Sequence, residues 1–424
     1  MNHSTPAERR RLESLSREAL RAVQLAKLNN LLAAILPANS FYVEKLAANS
    51  LQLGSLDELS QLPYTYKDEL AAPPFAHEFA ANLTFPLARY VRFHRTSGTH
   101  GKPLPVLDTA EDWQWWMETW QYILDAADVG PGDRVLMAFS FGPFIGFWSA
   151  HEAALTRGAM VIPGGGLTTL GRLELMRICR PTIVCCTPSY ALHLAEVAWE
   201  NQIDPRTLGV RSLIVAGEPG GSLPEVRGRI EAAFDARVSD HAGASEVGPW
   251  GYADDQRRGL RIIESEFIAE FISHQTGQPA NEGELAELVL TTLGRVGSPV
   301  LRYRTGDLVR PVFANPGENQ FVLLEGGVLG RTDDMLIIRG VNVIPSALDQ
   351  IMRSFPEVVE YRATAVKQGA MDELRIEVED RLENPERIIQ ELQLRLGLKV
   401  FVGLAPAGSL PRFEGKGRRL VDER

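Results

Sequence analysis

Thr182-Ile183-Val184-Cys185-Cys186 is a short, unbroken apolar run, with Pro181 before it and Pro188 two residues after it. Three runs of the same kind surround it: Val135-Leu136-Met137-Ala138-Phe139, Met160-Val161-Ile162-Pro163 and Ser212-Leu213-Ile214-Val215-Ala216. Each is bounded by Gly or Pro, and the first three in chain order precede helix-like stretches. Continuous apolar runs of this length suit strands buried on both faces. Strands alternating with helical patterns predict an α/β domain with largely parallel sheets. Ligands are then expected at the carboxyl ends of those strands.

Outward from this centre the pattern changes twice. Ile268-Ala269-Glu270-Phe271-Ile272 and Glu287-Leu288-Val289-Leu290-Thr291 read as strands separated by turns, which predicts a small β-rich subdomain over about 260–325. Beyond Gly330 the chain resets. Leu336-Ile337-Ile338, a helix over 346–353, Arg375-Ile376-Glu377-Val378 and a helix over 384–396 predict a compact α+β unit. The domains are therefore 1–330 and 331–424, with a hinge near Arg331-Thr332-Asp333-Asp334. Toward the N-terminus, Leu12, Leu15, Leu20, Val23, Leu25 and Leu28 recur at near-helical spacing over 7–36. Pro37-Ala38-Asn39-Ser40 breaks that pattern, and a second helix is expected over 41–46.

Composition restricts the function classes. Of 424 residues, 45% are hydrophobic and 23% charged, which is globular composition with ample material for a core. The net charge of -10 argues against a nucleic-acid partner and gives a membrane surface no hold. No run of about eighteen apolar residues is present, and the charged N-terminus lacks a signal-peptide core. Cys179, Cys185 and Cys186 make a poor disulfide framework and no zinc spacing, so they read as buried thiols in a reducing cytoplasm.

Five motifs carry chemistry. Arg95-Thr96-Ser97-Gly98-Thr99-His100-Gly101-Lys102-Pro103 is small, hydroxylated and glycine-rich. Its backbone N–H groups, hydroxyls and lysine can approach phosphate oxygens. It is not a Walker A loop, and alone it also reads as a surface turn. In Asp240-His241-Ala242-Gly243-Ala244-Ser245-Glu246-Val247-Gly248 a glutamate sits among small residues, where a phosphate-bound Mg²⁺ can reach it; a solvated Glu on a glycine-rich turn is the bland alternative. In Arg302-Tyr303-Arg304-Thr305-Gly306-Asp307-Leu308 the aspartate can accept from a ribose diol or pair with a neighbouring arginine. Gly330-Arg331-Thr332-Asp333-Asp334, followed by an apolar strand and Arg339-Gly340-Val341-Asn342, suits a domain junction at which Gly340 allows close backbone approach. Arg412-Phe413-Glu414-Gly415-Lys416-Gly417-Arg418-Arg419 sets a lysine between glycines, as a point charge for a phosphate or as part of a basic tail.

In joint order and spacing these motifs resemble the adenylate-forming superfamily of acyl-CoA synthetases, and specifically the phenylacetate–CoA ligase family. The resemblance runs from Asn39-Ser40-Phe41-Tyr42 and Leu62-Pro63-Tyr64-Thr65-Tyr66-Lys67 through Gly132-Asp133-Arg134, Thr187-Pro188-Ser189-Tyr190 and Ala216-Gly217-Glu218-Pro219 to Gly415-Lys416. It implies the adenylate-forming fold, with a large N-terminal α/β domain and a small mobile α+β C-terminal domain. It also implies an ATP-dependent acid–thiol ligase, which activates a carboxylic acid as acyl-AMP and passes the acyl group to coenzyme A.

Roles follow from matching positions. The resemblance puts Thr96, Ser97, Gly98, Thr99, Gly101 and Lys102 around the β- and γ-phosphates, and Glu246 on Mg²⁺. Gly217, Glu218 and Pro219 line the adenine pocket, and Asp240 and Ser245 join the cofactor-binding set. Asp307 and Arg331 take the ribose hydroxyls. Lys416 bridges carboxylate and α-phosphate, and is counted with Glu246 and Lys102 as catalytic. Asp333 is the hinge, and Gly340 lies beside the incoming CoA. Three positions depart from the family pattern. His100 stands for a usual Thr or Ser. Ala242 stands where an aromatic often stacks on adenine, which leaves His241 or Trp250 as substitutes. Phe139-Ser140-Phe141-Gly142-Pro143-Phe144 occupies the acyl-pocket segment without its tyrosine, and its aromatics suit an aryl or other apolar acid. The resemblance also admits a homodimer, loading of a carrier-protein pantetheine or amide formation. A binding module that senses an acid or nucleotide without turnover is the alternative of another class.

Overall fold

The computed structural model describes residues 4–70, 79–96, 103–140, 142–313, 319–339, 341–368, 371–413 and 419–424. Its centre is a nine-stranded sheet. From one edge the strands are Pro311–Val312, Leu323–Glu325, Gly259–Ile262, Gly248–Ala253, Arg237–Ala244, Ser212–Val215, Ile183–Cys186, Arg134–Met137 and Met160–Pro163. The last five are mutually parallel; the first four join antiparallel. All four apolar runs quoted above are thus parallel strands. Ile183–Cys186 and Ser212–Val215 are buried at every position, as strands covered on both faces must be.

Crossover helices supply that cover, and local chemistry starts them. Thr187 accepts from the Tyr190 N–H, and Pro188 occupies the first turn of the helix Pro188–Glu200. Thr109 and Asp112 form a capping box at the head of the helix Ala110–Ala126. One hydrophobic cluster lies under the helices Thr169–Cys179, Pro188–Glu200 and Pro224–Phe234. A larger one joins the tryptophan-rich helix Ala110–Ala126 to the N-terminal helices and to a second sheet.

That second sheet is antiparallel, in the order Phe267–Ser273, Ala286–Thr292, Tyr303–Val309 and Gly330–Arg331. It contains both strands expected in the β-rich region over about 260–325, and differs from that region only in extent. Gly259–Ile262, Pro311–Val312 and Leu323–Glu325 leave it to extend the large sheet. A turn returns Gly259–Ile262 onto Gly248–Ala253, and Leu323–Glu325 then pairs with its open edge.

Residues beyond 335 have a core of their own, built from Ile338, Val343, Leu348, Ile351, Val358, Ala363, Ile376, Ile388 and Leu392 among others. Its sheet runs Phe401–Leu404, Met371–Asp380, Val358–Gln368 and Leu420–Asp422, with an antiparallel central pair and parallel outer strands. The helices Pro345–Arg353 and Pro385–Leu396 pack on it.

Cys185 and Cys186 are buried strand residues, and burial pushes the Cys185 thiol up to about 12. Cys179 instead ends a helix and is half-buried. Among the described residues no single helix is long and apolar enough to cross a membrane.

Candidate active site

The parallel strands end in loops along one edge of the large sheet. The loop after Ser212–Val215 carries Gly217, Glu218 and Pro219, and the turn after Arg237–Ala244 carries Ser245 and Glu246. Glu246 is the chemical centre of this edge. Its side chain is buried, yet Lys67 Nζ lies 3.0 Å from Oε1, and the Tyr303 hydroxyl donates to the same oxygen at 3.1 Å. Burial raises this carboxyl, but the Lys67 ammonium beside it and the Tyr303 hydroxyl more than offset that, so it sits below the ordinary carboxylate range. The result is a desolvated carboxylate held charged.

The turn is braced from below. Arg295 Nη1 donates to the Glu246 carbonyl at 2.8 Å and to the Ser245 carbonyl at 3.2 Å. Arg295 is fully buried and forms an ion pair with Asp108 at 2.7 Å, also fully buried. Lys67 arrives by another route. Thr65 bridges to Tyr303, with the Thr65 N–H on the Arg302 carbonyl at 3.0 Å and the Arg304 N–H on the Thr65 carbonyl at 2.9 Å. Two residues further on, Lys67 opens the short helix Lys67–Leu70 beside Glu246.

The glycine-rich loop lies between two paired strands, Tyr90–Arg95 and Pro105–Thr109. Thr96 closes its neck: the Thr96 N–H donates to the Leu104 carbonyl at 3.0 Å, and the Leu104 N–H donates to Thr96 Oγ1 at 3.0 Å. Buried Thr96 therefore ties the two strand ends together. Leu104 and Glu246 line one small cavity with Asn82, Arg295 and Ser298, so this strand end lies close to the glutamate. Ser97, Gly98, Thr99, Gly101 and Lys102 lie outside the described residues, as do Gly340 and Lys416.

Gly217 has φ +96, in the left-handed region where a side chain is strained. Glu218 Oε1 accepts from the Ser189 N–H at 2.7 Å and from the Ser189 hydroxyl, which ties this loop to the start of the helix Pro188–Glu200. Asp240 faces inward. Its carboxylate accepts from the Ser222 hydroxyl and from the His241 N–H at 3.0 Å, and burial pushes it up to about 6. A Cβ on Gly221 would stand 2.6 Å from Asp240 Oδ1, so loop and strand meet there without room for a side chain. Asp240 thus braces the loop from behind.

Neither proposed substitute for the adenine-stacking aromatic offers a free face. His241 is buried with its ring centroid 4.6 Å from that of Trp120, and its Nδ1 is 2.9 Å from the Gly251 carbonyl. Trp250 is 1% exposed. Both are core residues, because alternate positions of this strand pair point into the packed interior.

Asp307 and Arg331 are register partners on adjacent strands, and Arg331 Nη1 lies 3.4 Å from Asp307 Oδ1. Arg331 Nε also reaches Asp333 Oδ1 at 3.1 Å. Gly306, at φ +76, makes room, since a Cβ there would stand 2.8 Å from Arg331 Nη2. One guanidinium therefore spans the expected ribose aspartate and the expected hinge aspartate. In the acyl-pocket segment, Phe139 packs on the main core, Phe144 is 41% exposed, and Trp148 Nε1 donates to the Gly142 carbonyl at 2.9 Å.

Comparison with known proteins follows the same outline. Residues 93–279 match a family model described as AMP-binding enzyme, and residues 340–424 match one described as AMP-binding enzyme C-terminal domain. A phenylacetate–coenzyme A ligase of Thermus thermophilus is 32% identical over 97% of this chain and 98% of its own. That of Escherichia coli K12 is 34% identical over 97% of each. A solved structure of 2-hydroxyisobutyryl-CoA ligase in the postadenylation state, with 2-HIB-AMP, is 28% identical and superposes with a TM-score of 0.91, covering 100% of this chain and 94% of that one. The same enzyme with 2-HIB-AMP and CoA in the thioesterification state, at 29% identity and the same coverage, gives 0.73. With full-length relatives above 30% identity and both halves of the AMP-binding architecture in place, this chain belongs to the phenylacetate–coenzyme A ligase family.

Proposed function

We propose that this protein is an ATP-dependent acid–thiol ligase, which activates an aryl or arylalkyl carboxylic acid as acyl-AMP and transfers the acyl group to coenzyme A. In the first half-reaction the acid's carboxylate attacks the α-phosphorus of ATP and pyrophosphate leaves. In the second, the CoA thiol attacks the acyl carbonyl and AMP leaves. A free carboxylate is a poor acyl donor, and the adenylate supplies the leaving group. The chain's part is placement and charge stabilisation.

The observation that carries this reading is the charged, desolvated Glu246, which shares a small cavity with Leu104, just before the strand that follows the glycine-rich motif. Tyr303, which touches it, shares a strand with Asp307. Triphosphate, ribose and adenine are then served by adjacent loops. A single carboxylate fits Mg²⁺ that brings phosphate ligands of its own, because Mg²⁺ binds through one or two carboxylates plus substrate phosphates. Among the described residues no group of three or more His, Cys, Asp or Glu forms a protein cage for it. Mg²⁺ would neutralise developing phosphate charge there. Asp333 serves as the pivot between domains 1–330 and 331–424. The two scores against 2-hydroxyisobutyryl-CoA ligase support such a pivot, since this chain takes the postadenylation arrangement.

The exposed Phe144 and the half-buried Phe139 support an apolar, aromatic acid. The direct test is acid-dependent ATP–pyrophosphate exchange across aryl, arylalkyl and short aliphatic acids, followed by AMP release with CoA. Arylalkyl acids are expected to lead. Exchange with no acid would sink the ligase reading, and exchange without CoA-dependent AMP release would redirect it to a carrier protein or an amine.

Lys67→Met tests the electrostatics of Glu246. With the ammonium gone, burial acts with less opposition and the carboxyl is expected to rise. In the wild type its depressed value favours the fold at neutral pH, and that support is lost as pH falls through the folded value. The acid limb of exchange activity should therefore move to higher pH in the variant. A pH–rate profile with an unmoved acid limb would count against the assigned charge state.

A further inference from the structure

Polar contacts join the C-terminal unit to the helices Pro188–Glu200 and Pro224–Phe234. Gln350 Nε2 donates to Glu225 Oε1 at 3.1 Å, and Arg229 Nη1 donates to the Val358 carbonyl at 3.2 Å. The third contact is ionic and centres on Arg412. Its guanidinium holds Glu379 of its own unit at 2.7 Å and Glu196 of the facing helix at 3.3 Å. Nη2 also lies 3.4 Å from Glu196 Oε1, so both carboxylates are engaged through two oxygens. Of these residues, Glu196, Arg229 and Arg412 line a cleft of about 380 Å³ between the units.

The two carboxylates differ in what they report. Glu379 travels with Arg412, so that pair survives any rigid movement of the C-terminal unit. Glu196 belongs to the other unit, and its contact requires the present arrangement. That arrangement matches the postadenylation state of the relative and departs from its thioesterification state. Position matters too. Arg412 stands four residues before Lys416, and Arg419 stands three after it. Arg419 is held by Glu360 at 2.7 and 3.0 Å, and its Cζ lies 5.4 Å from the Phe413 ring. The chain therefore leaves and re-enters segment 414–418 at two fixed points, of which Arg412 is tied across the units.

We propose that Glu196 is a positioning residue for adenylation: by holding Arg412 it favours the arrangement that delivers the Lys416 segment, and it plays no part once the units rotate for thioester formation. This rests on the ligase reading above. The pair is partly exposed, so its effect is modest. In Glu196→Gln, acid-dependent ATP–pyrophosphate exchange is expected to fall roughly three- to fivefold. Thioester formation from presynthesised acyl-adenylate and CoA should hold or rise. Glu196→Gln should add nothing further in an Arg412→Leu background. Equal losses in both half-reactions, or no loss in either, would overturn the proposal. A second measurement needs no turnover. Nitroxide pairs at Leu155→Cys and Leu394→Cys, in a Cys179→Ser background, place one label on each unit at exposed sites. Glu196→Gln should shift population toward a second distance, and an unchanged distribution would overturn the proposal. If the wild type shows no exchange with any acid, the ligase reading falls, while the distance measurement still decides the contact.

Discussion

Lys416→Ala is expected to slow acyl-adenylate formation by about 10²–10³-fold, the loss that follows removal of one preorganised group from a developing anion. Thioester formation from presynthesised adenylate should stay near the wild-type rate. Attack of a carboxylate on the α-phosphorus brings two anions together, and negative charge grows on the bridging oxygens. A lysine ammonium is a compact charge suited to that place, and Gly415 and Gly417 on either side allow the approach. The segment's flanks are pinned to the C-terminal sheet through Arg412–Glu379 and Arg419–Glu360, which suits the proposed delivery of the lysine as part of a domain. Equal loss in both half-reactions would sink the lysine assignment. The contrast with Glu196→Gln is quantitative: a group that touches the reacting phosphate costs orders of magnitude, and one that biases a domain position costs a few-fold.

How much of this was legible in the sequence depends on how local the cause is. Met160–Pro163 and Leu336–Ile338 read true because a short apolar run set off by Gly, Pro or charged residues carries its own signal. The strand Tyr90–Arg95 gives no such run. It alternates exposed and covered positions, and its partner follows only after the glycine-rich loop. Motif residues such as Glu246, Asp307 and Arg331 could be named from the family resemblance. Their supports could not. Lys67 is 179 positions before Glu246, and Asp108 is 187 before Arg295; charge sign alone pairs no residues across such distances. Asp240 shows how packing adds what a motif leaves out. It sits in a motif but turns inward to Ser222, and only the packing of Gly221 against it shows why. Periodicity would have found one missed element, since Thr109, Asp112 and the tryptophans that follow are a capped amphipathic helix.

Arg295→Met is expected to destabilise the protein by about 3–5 kcal/mol, because breaking a fully buried ion pair from one side leaves an uncompensated charge. Asp108 and Arg295 are both 0% exposed, and Trp116 Nε1 adds a hydrogen bond to Asp108 Oδ1 at 3.2 Å. Burial already pushes the Asp108 carboxyl up to about 6, against the pull of Arg295. Without the guanidinium it climbs further. An acid raised in the folded state binds a proton that the unfolded chain has released, so stability falls as pH rises between the two values. The deficit in denaturant midpoint should thus be smaller at pH 5 than at pH 7.5. A loss under about 1 kcal/mol, or one independent of pH, would count against the buried pair as the brace; surface substitutions stay within about 0.5 kcal/mol. Adding Asp108→Asn removes the stranded charge and should recover part of the stability. It should not recover exchange activity. Arg295 also holds the Ser245 and Glu246 carbonyls, and neither Met nor Asn can donate from its place, so the glutamate turn loses its support even where the fold returns.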